Sequence, residues 1–144
     1  MKPLPIDEDY LREVLLELLR TPSPSGRTDA VMQIIGDHLA ALKVPMRVTR
    51  RGVLRATLDG EVDGSSRAVV VHADTIGCMV KRLKENGRLE VVPIGTHSAR
   101  FSEGAHVTVL VDDLTRFHTG TVLPLKSSGH NFGDAVDTQG VGWH

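Results

Sequence analysis

The run "AVVVHADTIG", residues 68 to 77, limits the folds open to this chain more than any other stretch of its sequence. Ala68 to Val71 are apolar without interruption, and Val69, Val70 and Val71 are β-branched. Strict alternation would mean a strand with one wet face. A continuous run means a strand covered on both faces, as in parallel sheets flanked by helices. The run then meets His72 and Asp74, two groups that are costly to bury, before Gly77 breaks it. Ligands of open α/β sheets bind outside the carboxyl ends of the strands, and these two side chains stand at such an end.

The segments before this run supply helices for such a sheet. From about Asp7, residues Leu11, Val14, Leu15, Leu18 and Leu19 recur at helical spacing, and Asp7, Glu8 and Asp9 suit the positive end of a helix dipole. "TPSPSG" stops that helix. A second pattern starts near Thr28, carries Val31, Ile34, Ile35, Leu39 and Leu42 on one side, and ends before Pro45. "MRVTRRGVLRATLDG" then alternates around Gly52 as a pair of strands, and "EVDGSSR" is a polar loop. Two helices, two partly exposed strands and a buried strand predict α/β architecture.

After Gly77 the pattern changes. "CMVKRLKENGRLEVVPIG" is two strand-like runs about Asn86-Gly87, a strong hairpin signal, and "HVTVLVDDLTRFHTGTVLPLK" repeats the plan with a longer loop. No helical period is evident from about residue 76 onward. The expected organisation is therefore an α/β part over residues 1–75 and a compact, barrel-like all-β module over 76–144.

Composition removes several function classes. Lys plus Arg number 17 and Asp plus Glu 18, so a formal charge of -1 gives no general attraction to nucleic acid or an anionic membrane. One Trp, one Tyr and three Phe, widely separated, make no base-stacking platform. No apolar stretch reaches the roughly 18–20 residues that span a bilayer, and the acidic N-terminus lacks a secretory apolar run. The lone Cys78 has no partner for an internal disulfide. A cytoplasmic protein with no nucleic-acid or membrane partner is expected.

An imidazole can bind zinc through one nitrogen while the other donates to a carboxylate or carbonyl that fixes its tautomer. Residues two apart on an extended chain share a face, so His72 could ligate while Asp74 orients it. The alternative is that His72 caps the strand and Asp74 opens the following turn, and on the three-residue motif alone that plainer reading is preferred. A longer string bears on the choice. "HADTIGCMVKRL", "NGRLEVVPIGT", "GAHVTVLV" and "GTVLPL", preceded by "LLRTPSPSG", resemble the glutamyl or tetrahedral aminopeptidases. In that family of dinuclear zinc peptidases, a strand ending His-x-Asp-x-Ile-Gly precedes an inserted β domain. The resemblance runs from about Leu11 to His130.

The resemblance implies the N-terminal part of a zinc-peptidase α/β sandwich followed by the inserted β module. It makes His72 a direct ligand of one zinc and Asp74 the catalytic-site carboxylate that orients the imidazole. Thr75 departs from the family, in which many members carry an acidic residue there. The implied cofactor is a pair of zinc ions, with cobalt or manganese as substitutes, and the implied substrate is a peptide with a free amino end. A zinc pair needs more ligands, including a bridging carboxylate, and hydrolysis needs a general base. The family supplies these after its β insertion, about where this sequence reaches "QGVGWH". The expectation is a fragment that binds zinc weakly or not at all and is inactive alone.

Other candidates have plainer readings. "SSGHNFGDAVD" offers His130, Asp134 and Asp137 as a possible metal loop, but turn chemistry accounts for the same residues. His38, His97, His106, His118 and His144 lack ligand partners at useful spacing and are expected to be exposed or locally satisfied. Arg47, Arg50, Arg51 and Arg55 read as a solvated face rather than an anion site. "THSARFSE", bracketed by Gly95 and Gly104, reads as an ordinary β connection before a substrate or subunit contact. The competing function is an oligomerisation module that assembles homo-oligomers through its β part. A third is another peptidase or deacylase of the same broad clan, which the β sequence after "TIG" disfavours.

Overall fold

Asp7 starts the first helix by accepting a hydrogen bond from the backbone N–H of Tyr10 at 3.0 Å, which satisfies one of the donors a helix leaves open. The computed structural model describes residues 5–60, 64–111, 116–123 and 128–133, and the chain divides into two units, Met1–Thr75 and Ile76–His144.

In the first unit, α1 spans Glu8–Arg20 and α2 spans Asp29–Ala41. Glu8 and Asp9 lie in the first turn of α1 and Arg20 in its last, each with the sign the dipole favours. Val31 of α2 is the buried hydrophobic residue of the described chain, at 1% exposure. The stripe of α1 stays open by contrast: Leu11, Leu15 and Leu19 are 55%, 49% and 68% exposed. Helix α2 ends by a left-handed turn at Lys43, φ 56°, where the Lys43 N–H reaches Ala40 O and the Val44 N–H reaches Leu39 O. Pro45 then prevents continuation.

Strands β1 (Met46–Val48) and β2 (Leu54–Ala56) form an antiparallel pair in which Arg47 lies opposite Arg55. The two guanidinium groups are exposed, as are Arg50 and Arg51, so water screens their repulsion. The turn is three residues, closed by a hydrogen bond from the Gly52 N–H to Thr49 O, with Gly52 at φ 78°.

The second unit repeats this device. Strands β3 (Gly77–Leu83) and β4 (Leu89–Ile94) pair antiparallel, and the Gly87 N–H bonds to Lys84 O with Gly87 at φ 78°. A three-residue loop with glycine in the left-handed position fits the twist of a hairpin. A short 3-10 turn, Ala99–Ser102, leads to β5 (His106–Leu110), which pairs with β6 (Phe117–Thr121). A one-turn helix, α3, spans Gly129–Phe132 and is too short to leave a periodic signature in the sequence.

The β3–β4 ladder carries a bulge. Val80 pairs with Val91 and Arg82 with Glu90, so Lys81 is the extra residue. Adjacent residues of a regular strand point to opposite faces, but here Lys81 Nζ and Arg82 Nε both reach the Glu90 carboxylate, at 2.9 and 2.7 Å. Glu90 is only 9% exposed, and these cations hold its carboxyl down at about 2.

One expectation needs correction. The strand anticipated at Ala68–Val71 does not form: Val69, Val70 and Val71 are 90%, 90% and 83% exposed, and the segment carries no strand. A buried strand exists only with neighbours. Among the described residues, backbone groups of 65–72 make no backbone–backbone hydrogen bond, and a single parallel bridge joins Pro24 to Thr75. The sheets are three separate two-stranded pairs, so the described residues are mixed α/β with small sheets.

Candidate metal-ligand site

The Pro/Ser/Gly turn after α1 builds the surroundings of His72 and Asp74. The Arg27 N–H donates to Pro24 O at 2.8 Å, closing a tight turn whose third residue, Gly26, sits at φ 92°. That turn lies against residues 73–75. Ser23 Oγ donates to Ala73 O at 3.1 Å, and the Thr75 N–H donates to Ser23 O at 2.8 Å. Ser25 Oγ donates to Asp74 Oδ2 in a short hydrogen bond. Ser23 is almost wholly buried, at 1% exposure.

His72 and Asp74 do come together. His72 Nδ1 faces two acceptors of Asp74, the backbone carbonyl at 3.0 Å and carboxylate Oδ1 at 3.3 Å. Since both are acceptors, Nδ1 carries the proton in the neutral ring and Nε2 keeps its lone pair. The ring is 83% exposed, so that lone pair is open to solvent. The closer contact is the main-chain carbonyl at 3.0 Å, and the carboxylate lies at 3.3 Å. The Ser25 hydroxyl holds the Asp74 carboxyl below its ordinary range, partial desolvation opposes this, and the nearby imidazole adds a smaller lowering.

Of the remaining histidines, His38 has side-chain partners of its own on the helices. His38 Nε2 meets Glu17 Oε2 at 2.8 Å and its Nδ1 meets the Tyr10 hydroxyl at 3.2 Å, the two rings being edge-on. Beside that contact is an open hollow of about 270 Å³ lined by Glu17, Ile34, Asp37, His38 and Ala41, which does not include His72 or Asp74. His106 is 3.5 Å from Thr121 Oγ1 across β5–β6. His97 follows β4, His118 lies on β6 and His130 on α3. Asp134, Asp137 and His144 lie outside the described residues.

No group of three or more His, Cys, Asp or Glu is gathered for a metal among the described residues. The donor set therefore fits one corner of a zinc site: an imidazole with a fixed tautomer and an accessible nitrogen.

Residues 52–143 match the profile of the M42 glutamyl aminopeptidases, a span that includes both His72 and Asp74. The chain belongs to the M42 glutamyl aminopeptidase family. A Bacillus subtilis (strain 168) relative, "Putative aminopeptidase YhfE", is 35% identical over 123 residues. The alignment covers 85% of this M42 chain and 35% of that protein, so the chain spans about a third of the relative's length.

Sequence reasoning missed Ser23 and Ser25 as parts of this site. Each contacts residues about fifty positions away, and no local pattern announces such a pairing. The available signal was the occurrence of "TPSPSG" and "HADTIG" together in a recognisable family string.

Proposed function

We propose that this chain is the N-terminal part of a zinc-dependent aminopeptidase that removes residues from the free amino end of peptides. The observation that carries the reading is the state of His72: Nδ1 is tied to Asp74 and Nε2 is open, within a segment matched by a peptidase family. His72 supplies one nitrogen donor to the metal, and Asp74 keeps that nitrogen unprotonated by holding the proton on the far side of the ring. Bound zinc contributes Lewis acidity and activation of the attacking water. In this reading the other ligands, the bridging carboxylate and the general base come from further residues of the aminopeptidase. The unit from residue 76 onward is the inserted β domain, and the compartment is the cytoplasm. In this reading the chain alone hydrolyses no peptide.

Zinc titration of the chain, followed by NMR at the imidazole nitrogens, tests this. The expected result is weak binding that perturbs His72 Nε2 and disappears in His72→Ala, with cobalt or manganese able to replace zinc. Tight stoichiometric zinc, or zinc that leaves His72 unmoved, would overturn the assignment.

A second reading is favoured by exposed apolar groups in the second unit. Phe101, Leu83 and Phe117 are 89%, 68% and 65% exposed, a distribution suited to self-association through the β part. Light scattering over a concentration series decides: a strict monomer at high concentration removes it.

A further inference from the structure

The segment leading into His72 has almost nothing to hold it. From residue 65 to residue 72 its backbone makes no backbone–backbone hydrogen bond among the described residues, and its valines face water. The first hydrogen bond to the backbone comes at Ala73, where the serine turn takes hold. Ser23 fixes the peptide groups on both sides of Asp74, through the carbonyl of Ala73 and the amide of Thr75. Ser25 then holds one carboxylate oxygen, Oδ2, which leaves Oδ1 facing the His72 ring. Both acceptors at Nδ1 are thus set in place by residues of one turn.

We propose that Ser25 is a positioning residue for His72: by tying Asp74 Oδ2 it aims Oδ1 at Nδ1, beside the Asp74 carbonyl that Ser23 holds, and so favours the tautomer whose Nε2 can take a metal. This rests on the reading of His72 as a ligand, and it adds a residue that touches neither metal nor substrate. Ser23 is its backbone counterpart. A hydroxyl is suited to the task because it donates to the carboxylate without bringing a charge that would compete with the imidazole.

The test uses the 144-residue chain and long-range nitrogen–proton NMR of the neutral imidazole. In the native chain His72 is expected mainly as the Nδ1–H tautomer. Ser25→Ala should reduce the Nδ1–H to Nε2–H ratio about fivefold, the effect of losing one ordinary hydrogen bond. Ser25→Thr should restore it. Methyl shifts of Val31 report whether the helices remain intact, and Ser25→Cys, with similar volume and a weak donor, replaces the alanine variant if they do not. An unchanged tautomer ratio in the variant read, or failure of threonine to rescue, overturns the role of Ser25. Zinc addition to the native chain is the separate arm. If zinc does not perturb Nε2, the metal-ligand reading fails while the tautomer ratios still decide whether Ser25 positions the ring.

Discussion

The β3–β4 hairpin and the segment from residue 65 to 74 are both rich in β-branched residues, yet one is a ladder and the other is unpaired. The difference is distance to a partner. Leu83 and Leu89 are separated by a short turn, so closing the hairpin loses little chain entropy before hydrogen bonds form. Among the described residues, Val69 to Val71 make no backbone–backbone hydrogen bond, and the serine turn's bonds begin at Ala73. A run of valines states what a segment needs in order to be buried. It does not state whether the chain in hand supplies the neighbours.

The largest expected change is loss of the hairpin when its buried carboxylate is neutralised. Glu90 titrates at about 2 in the fold against an ordinary 4.5, so it binds protons less readily folded than unfolded. Its contribution is complete above about pH 4.5 and is lost as the pH falls toward 2. Amide exchange in β3 and β4 should accelerate across that window. Glu90→Gln should be less protected at neutral pH and should lose the acid response between those values. Lys81 and Arg82 are 58% and 66% exposed, so added salt should weaken the effect. A variant with the same acid profile as the native chain would show that the bulge, rather than the charge cluster, holds the hairpin.

Two valines give the next contrast. Val31→Ala removes two buried methyl groups and should cost about 2 kcal/mol in denaturant unfolding followed by helix signal. Val70→Ala, at a residue 90% exposed, should change stability by less than about 0.5 kcal/mol. The same Val70→Ala substitution in the longer aminopeptidase proposed above sharpens the comparison. A cost there near that of Val31 would mean that the rest of the polypeptide covers the run; a cost as small as in this chain would mean that the run is a surface feature throughout.

What could be read in advance follows the same division. Helices α1 and α2, the Gly52 turn and the Asn86-Gly87 hairpin were legible because each is specified within a few residues. The meeting of His72 with Asp74 was legible because the two are neighbours in sequence. Ser25 was not, since its partner is Asp74 and the contact is made only by folding. The anticipated sandwich strand failed for a related reason: continuous hydrophobicity reports a requirement for cover on both faces, and the described residues leave that requirement unmet.

The smallest contrast concerns two glycines, one in each region. Gly87 closes the hairpin loop at φ 78°, a conformation in which a side chain crowds its own backbone, and its amide donates to Lys84 O at 2.9 Å. Nothing lies within 4 Å of where its Cβ would be, so the cost of Gly87→Ala comes from backbone strain alone, about 1 kcal/mol. Gly64 precedes the unpaired segment, also has nothing within 4 Å, and does not adopt a left-handed φ. Gly64→Ala should therefore be neutral or stabilising by up to about 1 kcal/mol, because alanine narrows the unfolded ensemble. Amide protection around each site is the measurement. Equal effects would mean that the loop tolerates another turn geometry, and the hairpin would then owe its register to the ladder and the Glu90 cluster rather than to its turn.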